Sequence, residues 1–173
     1  MENLVLKTIK ERRSVKAYSD EVVSDELIDQ ITEAGTYAAC GRGAQAGEIV
    51  VIKDRALRDK LAKLNAEILH AEVDPFYNAP VVIVVLADSS IPTYVEDGSL
   101  ILGNMMLAAT SLGVDSCWIH RARQMFETDF GKELLKKWGL PETYKGVGNL
   151  IIGYRSKGLG ERKARKANFV IKD

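Results

Sequence analysis

Hydrophobic residues recur along this chain at two spacings, and each spacing predicts a type of secondary structure. Apolar positions three or four residues apart predict helices over residues 4–10, 24–38, 54–68, 92–112 and around 126–135. Short apolar or β-branched runs predict strands over residues 48–53, 81–85, 115–119 and 146–154. The run at 81–85 is apolar at every position, so we expect it to be a central strand covered on both faces.

Polar residues and glycines mark the ends of several predicted helices. Ser24 is a good N-cap, and Asp25 and Glu26 follow in the first turn, where the helix dipole favours acidic side chains. Gly113 is placed to end the helix over 92–112. Because that helix is apolar around most of its circumference, we expect it to be buried in a core or against a second subunit.

The order and number of these elements indicate the fold class. Helices outnumber strands and do not alternate with them in regular βαβ units, which favours an α+β fold with helices around a modest sheet. A chain of 173 residues is long enough for one well-buried domain and short for two. We therefore predict a single domain over residues 1–173.

Charge and cysteine content narrow the possible partners and compartments. Lysine plus arginine (24) equals aspartate plus glutamate (24), so no sustained positive field favours a nucleic-acid partner. The longest apolar stretches are shorter than the ~20 residues of a membrane span, so no membrane partner is expected. With only Cys40 and Cys117 and no secretory pattern, a reducing cytoplasmic location is predicted.

Two basic clusters lie at opposite ends of the chain. Arg12-Arg13-Ser14-Val15-Lys16 closes the first helical pattern, and Arg162-Lys163-Ala164-Arg165-Lys166 precedes the C-terminus. If folding brings them together, their guanidinium and hydroxyl groups would bind one phosphate through charge-assisted hydrogen bonds. The alternative is that both are solvated basic surfaces. Arg55 and Arg58 are similarly expected on a solvated helix face.

A third feature is a loop over residues 40–47 that holds three glycines in eight positions. Glycine lets the backbone approach a flat ligand closely. Cys40 has no evident base nearby in the sequence, so we interpret it as a small loop residue and not a nucleophile.

The order of these motifs resembles the nitroreductase family of flavin enzymes. The resemblance begins with Arg12-Arg13-Ser14, continues through the glycine-rich loop and Phe76-Tyr77-Asn78-Ala79-Pro80, and extends to the helix containing Asn104-Met105-Met106. Leu112-Gly113-Val114-Asp115-Ser116-Cys117-Trp118 and Gly153-Tyr154 are similar to the family's later strands. These pieces occur in the family's order across nearly the whole chain.

The resemblance implies a fold, a cofactor and a reaction. The fold is a central, mostly antiparallel sheet of four strands in a homodimer, with the C-terminal tail at 155–173 exchanged with the partner subunit. The cofactor is FMN, through which electrons pass from NADH or NADPH to a small planar acceptor, a nitroaromatic, a quinone or a flavin, by ping-pong turnover. The alternative is an FMN-binding, storage or sensing protein of the same fold without efficient turnover.

The resemblance also assigns roles to the basic clusters. Arg12, Ser14 and Arg165 are expected to bind the FMN phosphate, with Arg13, Lys16 and Lys163 supporting them. Lys16 has a second possible role, since a cation near N1 and the C2 carbonyl stabilises the negative charge of reduced flavin. A surface lysine remains the alternative.

Backbone groups are expected to bind much of the flavin ring. The loop residues Cys40, Gly41, Arg42, Gly43 and Gln45 would lie against the ring from the partner subunit, while Trp118, Ile119 and His120 would present peptide groups to its N5 edge. The flavin carries the redox chemistry, so no catalytic side chain is predicted. His120 either lines the pocket or is structural. Cys117 and His120 are too few for a metal site, and none is predicted.

Three aromatic residues bear on the acceptor pocket, and a loop that differs from the family pattern bears on FMN affinity. Phe76, Tyr77 and Phe126 either belong to the core or form the wall of an acceptor pocket. Many relatives have asparagine and then glutamine-proline-tryptophan where this chain has Gly43-Ala44-Gln45-Ala46-Gly47. Only the glutamine is shared, so we expect weaker FMN affinity or a more open pocket.

Overall fold

The computed structural model describes residues 3–173, which form a four-stranded sheet between two layers of helices. In chain order the elements are α1 (Leu4–Glu11), α2 (Asp25–Thr36), β1 (Gly47–Ile52), α3 (Arg55–Leu69), β2 (Val81–Asp88), α4 (Tyr94–Ser111), β3 (Asp115–Ile119), α5 (Ala122–Glu127), α6 (Asp129–Lys137) and β4 (Tyr144–Gly153). A short 3-10 turn, Gly41–Gly43, lies in the loop before β1. The predicted α+β class is confirmed.

The strands are ordered β1-β2-β4-β3, and every neighbouring pair is antiparallel. The predicted central position of β2 is therefore correct, and β1 and β3 form the two edges. Val82 and Val84 face one helical layer while Val81 and Ile83 face the other, because side chains alternate between the faces of a strand. This explains why the run is apolar at every position.

Each face of the sheet is covered by different helices. Helices α3, α5 and α6 pack on one face, where Leu61, Met125 and Leu135 are fully or almost fully buried. Helices α2 and α4 pack on the other face through Ile31, Leu102 and other apolar side chains. Each fully buried aliphatic side chain stabilises the fold by about 1.5–3 kcal/mol.

The helix predicted around residues 126–135 is two helices, α5 and α6, separated at Thr128. The Thr128 hydroxyl donates to the Met125 carbonyl at 2.7 Å and accepts from the Gly131 N–H at 3.1 Å, so it closes α5 and caps α6. A Cβ at residue 131 would collide with the Met125 backbone, which requires glycine. Apolar spacing alone does not reveal such a break.

Helix α4 is buried on one side only. Leu102, Met105 and Ala109 have no exposed surface, whereas Leu100 is 48% exposed. Next to α4 lies α1, which exposes Leu4 and Val5. The described chain therefore carries an apolar surface across α1 and α4, where Leu4, Val5, Leu107 and Ala108 line a common groove. None of the helices in residues 3–173 is long and apolar enough to cross a membrane.

Candidate active site

The predicted phosphate-binding segment runs along the free edge of β3. The Val15 N–H donates to the Ser116 carbonyl at 3.1 Å, and Ser14 forms a bridge with Ser116. Val15 is buried, while Ser14 and Lys16 on either side of it are exposed. This alternation follows from the extended backbone. It leaves the polar side chains free on the surface of the sheet edge.

The two basic clusters converge, as the sequence analysis required. An Arg13 guanidinium nitrogen donates to the Gly160 carbonyl at 3.0 Å, and an Arg162 nitrogen donates to the Glu11 carbonyl at 3.0 Å. Lys163 and Arg165 follow directly in the tail and are exposed. Arg13 therefore holds the tail in place, and Arg162, the first residue of the C-terminal basic cluster, makes the reciprocal contact.

The charges gathered here are not neutralised by carboxylates. Within residues 3–173, none of the side chains of Arg12, Lys16, Lys163 and Arg165 is in an ion pair. Guanidinium, ammonium and hydroxyl groups such as these and that of Ser14 are the donor types that suit a phosphate dianion. The chemistry of this donor set therefore fits the phosphate end of FMN.

Cys117 lies close to Ser14, Lys16 and Arg12. Its side chain is 3% exposed and faces the core. Burial raises the pKa of the thiol, although a hydrogen bond with Ser14 and the positive charges of Lys16 and Arg12 act in the opposite direction. The thiol stays protonated at neutral pH, so Cys117 is a packing residue and not a nucleophile.

Lys16 and Tyr77 are brought together from distant parts of the sequence. The Lys16 ammonium nitrogen lies 5.8 Å from the centroid of the Tyr77 ring, a cation-π distance. Tyr77 is half-buried and remains available to line a pocket. Phe76 and Phe126 have 0% and 1% exposure and belong to the core, so their assignment to an acceptor pocket is corrected.

At the other end of β3, Trp118 is half-buried, Ile119 is buried and His120 is exposed. The carbonyl of His120 points inward and accepts from Asn65 at 2.9 Å. Sequence reasoning missed Asn65 and its buried neighbour Asn149. The available signal was a polar residue within an apolar run, since Asn65 shares a helix face with Leu61 and Ile68.

The glycine-rich loop lies at the start of β1, on the opposite edge of the sheet. Its exposed members are Arg42, Gly43, Ala44 and Gln45, while Cys40 and Gly41 are half-buried. The Gly41 N–H donates to the buried Asp97 carboxylate at 2.9 Å, and the other carboxylate oxygen accepts from the Thr93 hydroxyl at 3.1 Å. Asp97 therefore anchors the loop, a role that the sequence did not suggest.

The predicted cofactor residues thus form two groups that a single chain keeps apart. Ser14 lies beside β3 and the loop of Gly41 precedes β1, and these edge strands are separated by two others. Three strand spacings of ~4.8 Å place the edges about 14 Å apart. Among the described residues, no three His, Cys, Asp or Glu side chains are grouped so as to hold a metal ion.

Comparison with known proteins gives one consistent result. The model of the nitroreductase family matches residues 9–154. A putative NADH dehydrogenase/NAD(P)H nitroreductase of Archaeoglobus fulgidus is 32% identical over 154 residues, covering 86% of this chain and 84% of the relative. The FMN reductase [NAD(P)H] of Bacillus subtilis is 25% identical over 181 residues, covering 95% and 69% respectively.

Two crystal structures of nitroreductases with bound FMN have the same fold. That from Bacteroides fragilis has a TM-score of 0.90 and 29% identity over 99% of both chains. That from Desulfitobacterium hafniense has a TM-score of 0.87 and 26% identity over 100% of both chains. Since the family model spans most of the chain and these folds agree over nearly their full length, the chain belongs to the nitroreductase family of oxidoreductases.

Proposed function

We propose that residues 1–173 form a single FMN-binding domain that works as a homodimer and passes electrons from NADH or NADPH to a small planar acceptor by ping-pong turnover. The observation that carries this proposal is the contact between the two basic segments, in which Arg13 donates to Gly160 and Arg162 donates to Glu11, next to the exposed Ser14 beside β3. The FMN named for the Bacteroides fragilis structure has a terminal phosphate that this arrangement suits.

The phosphate end of the cofactor is assigned to Arg12, Ser14 and Arg165. Each charge-assisted hydrogen bond to a phosphate oxygen contributes about 1.5–3 kcal/mol. Arg13 acts indirectly, because its hydrogen bond to Gly160 holds the tail that carries Lys163 and Arg165.

A second copy of the chain is required to complete the site. The loop of Gly41 and the segment of Ser14 lie on opposite sheet edges of one chain, so the loop that contacts the ring next to Ser14 comes from the partner subunit. This arrangement supports the ring contacts proposed for Cys40, Gly41, Arg42, Gly43 and Gln45.

The apolar surface across α1 and α4 supports the same assembly. It contains a groove of about 520 Å³ lined by Leu4, Val5, Ala34, Tyr37, Leu107 and Ala108. Near the C-terminus, Phe169, Val170 and Ile171 are 77%, 70% and 91% exposed. Burial of this apolar surface against a second copy would remove it from water. Residues 155–162 are held on their own chain, where Arg162 donates to Glu11, so only the part of the tail that follows Arg162 remains to reach the partner subunit.

The residues of the chain bind and orient, and bound FMN supplies the redox chemistry by taking up hydride from NADH or NADPH and passing electrons to the acceptor. Lys16 provides positive charge at the edge of the site, where it offsets negative charge that develops on the ring. Tyr77, held beside Lys16, forms one wall of the acceptor pocket. No side-chain acid or base is assigned a catalytic role.

The absorption spectrum of the freshly purified protein tests this function. We expect a yellow protein whose visible flavin band bleaches when NADH or NADPH is added without oxygen, and returns when a nitroaromatic or quinone follows. Bound FMN that neither nicotinamide bleaches would instead indicate the FMN-storage or sensing alternative. Protein that does not bind added FMN would contradict both functions.

A further inference from the structure

The turn that follows β3 is held from inside the protein by two buried asparagines. We call residues 119–121 the β3 turn. Asn65 of α3 donates through its side-chain amide to the His120 carbonyl at 2.9 Å. The side-chain amide of Asn149 in β4 lies 3.4 Å from the carbonyl oxygens of both Ile119 and His120. Both asparagines have 0% exposure.

These contacts determine where the next two peptide N–H groups point. A trans peptide unit is planar, so its N–H is directed opposite to its C=O. Because the carbonyls of Ile119 and His120 point inward, the N–H groups of His120 and Arg121 point outward. Over residues 3–173 neither N–H donates a hydrogen bond. The β3 turn therefore presents two adjacent free donors at the surface.

Arg121 strengthens this arrangement from the other side. Its Nε donates to the side-chain oxygen Oδ1 of Asn65 at 3.0 Å. This contact orients the side-chain amide of Asn65 so that its NH₂ group faces His120. Arg121 also adopts the left-handed conformation, with φ of 74°, which is unusual for a residue other than glycine. The hydrogen bonds to Asn65 thus hold a backbone conformation that the turn would not favour alone.

The stability of the fold does not explain Asn149. Its amide NH₂ group is turned toward the β3 turn and the Met125 sulfur, while its side-chain oxygen has no hydrogen-bond partner among residues 3–173. An unpaired buried oxygen is destabilising, so an apolar residue would serve packing better. The two carbonyls that Asn149 contacts are the evident reason for a polar side chain here.

We propose that Asn65 and Asn149 are positioning residues that direct the N–H groups of His120 and Arg121 toward the flavin ring. The inference rests on the proposed function, because it takes from the family resemblance that the peptide groups of Trp118, Ile119 and His120 face the flavin ring. An electron-rich ring edge with nitrogen and oxygen acceptors is the chemistry that two adjacent N–H donors recognise.

The variant Asn65→Asp tests the proposal with almost no change in volume. The carboxylate still accepts from Arg121 but cannot donate to the His120 carbonyl, so the β3 turn should rotate. We expect the dissociation constants for FMN and for riboflavin to rise by a similar factor, about 5–10-fold. The visible absorption band of bound FMN should also move, since it responds to hydrogen bonds at the ring.

Riboflavin lacks the phosphate, so it separates effects at the ring from effects at the basic clusters. A second variant, Asn149→Leu, removes the other donor and fills the space with a side chain that needs no partner. This variant should raise the dissociation constants for FMN and riboflavin by a similar factor. The control Thr128→Ala removes the cap of α6, lowers stability without touching the β3 turn, and should leave both dissociation constants unchanged.

The outcomes distinguish this inference from the function on which it rests. If the wild-type protein binds FMN but both asparagine variants, folded by circular dichroism, bind FMN and riboflavin within twofold of wild type, the inference is wrong and the function stands. If Thr128→Ala weakens binding as much as they do, the effect is one of stability and the inference is again wrong. Wild-type protein that binds no flavin would overturn both.

Discussion

Arg162 donates a hydrogen bond to the main-chain carbonyl of Glu11 at 3.0 Å, across 151 positions of sequence. Arg13 makes the reciprocal bond to Gly160 at 3.0 Å. Each arginine donates to backbone carbonyls of the other segment, so the two segments are tied directly to each other. These two contacts leave Arg12 and Arg165 free to bind an anion.

We predict that the double substitution Arg12→Ala and Arg165→Ala raises the FMN dissociation constant by at least about 100-fold, since each lost charge-assisted contact is worth about 1.5–3 kcal/mol. Riboflavin, which has no phosphate, should bind about as it does to the wild type. Fluorescence titration measures both.

Arg55 and Arg58 are not suitable as the control for this experiment, because the expectation that both lie on a solvated face is wrong. Arg58 is 2% exposed and donates to Asp74 at 2.6 Å. Lys60→Ala with Lys63→Ala makes the same change in charge on exposed positions of α3. Equal FMN affinity in the two double variants would contradict the phosphate assignment.

Asp97→Ala should loosen the glycine-rich loop. The Gly41 N–H and the Thr93 hydroxyl both lose their acceptor, which costs about 1–3 kcal/mol in the free energy of unfolding. Arg42 is exposed in this loop, so trypsin should cleave after it faster than in the wild type. Glu96→Ala, an exposed carboxylate of the same helix, is the matched control. Identical cleavage rates in the two variants would show that Asp97 does not anchor the loop.

Tyr18→Phe should stabilise the protein. The Tyr18 hydroxyl is buried without a hydrogen-bond partner in the described chain, and removing it relieves a penalty of about 1–3 kcal/mol. Urea unfolding at neutral pH should therefore show a higher midpoint with the same slope. A lower midpoint would mean that the hydroxyl has a stabilising contact.

The same residue predicts how stability changes with pH. Burial, with smaller contributions from Cys117 and Asp115, raises the pKa of Tyr18 above its ordinary value. The Tyr18 hydroxyl therefore loses its proton at a lower pH in the unfolded chain than in the folded protein. The free energy of unfolding keeps its full value below about pH 10 and decreases as the pH rises above it. Tyr18→Phe should make the alkaline part of the curve flatter, and an unchanged alkaline slope would contradict this assignment.

Leu107→Glu should separate the subunits. Leu107 lines the apolar groove between α1 and α4, and a buried unpaired carboxylate there opposes association. Sedimentation velocity should show a dimer for the wild type and a monomer for the variant, with loss of bound FMN. Leu69→Glu, at an exposed position that ends α3, should remain dimeric. A wild-type protein that is monomeric at micromolar concentration would contradict an FMN site shared between two subunits.

Local sequence patterns predicted most of the secondary structure but not every boundary. The strand at 115–119 is correct to the residue, and Ser24 caps α2 through the Leu27 N–H at 3.3 Å. The break at Thr128 was missed, because the apolar spacing continues across it while the backbone does not. Boundaries set by local hydrogen bonds between neighbouring residues are poorly encoded in hydrophobic spacing.

The candidate site was predicted in part. Arg12, Arg13 and Ser14 could be chosen as candidate phosphate-binding residues because guanidinium and hydroxyl groups suit an anion whatever the fold. Asp97, Asn65 and Asn149 were missed because each acts by holding a backbone group from a different part of the chain. The buried positions of Phe76 and Phe126 likewise depend on which helices cover them.

The amino-acid order alone indicated most of the helices, the four strands, the central position of β2 and the kind of ligand that the basic clusters suit, because periodicity, propensity and charge act over a few residues. Only the tertiary structure decided that the segments of Arg13 and Arg162 meet near β3 and that the glycine-rich loop lies on the opposite sheet edge. Those relationships depend on strand order and on hydrogen bonds between residues up to 151 positions apart, which no local pattern specifies.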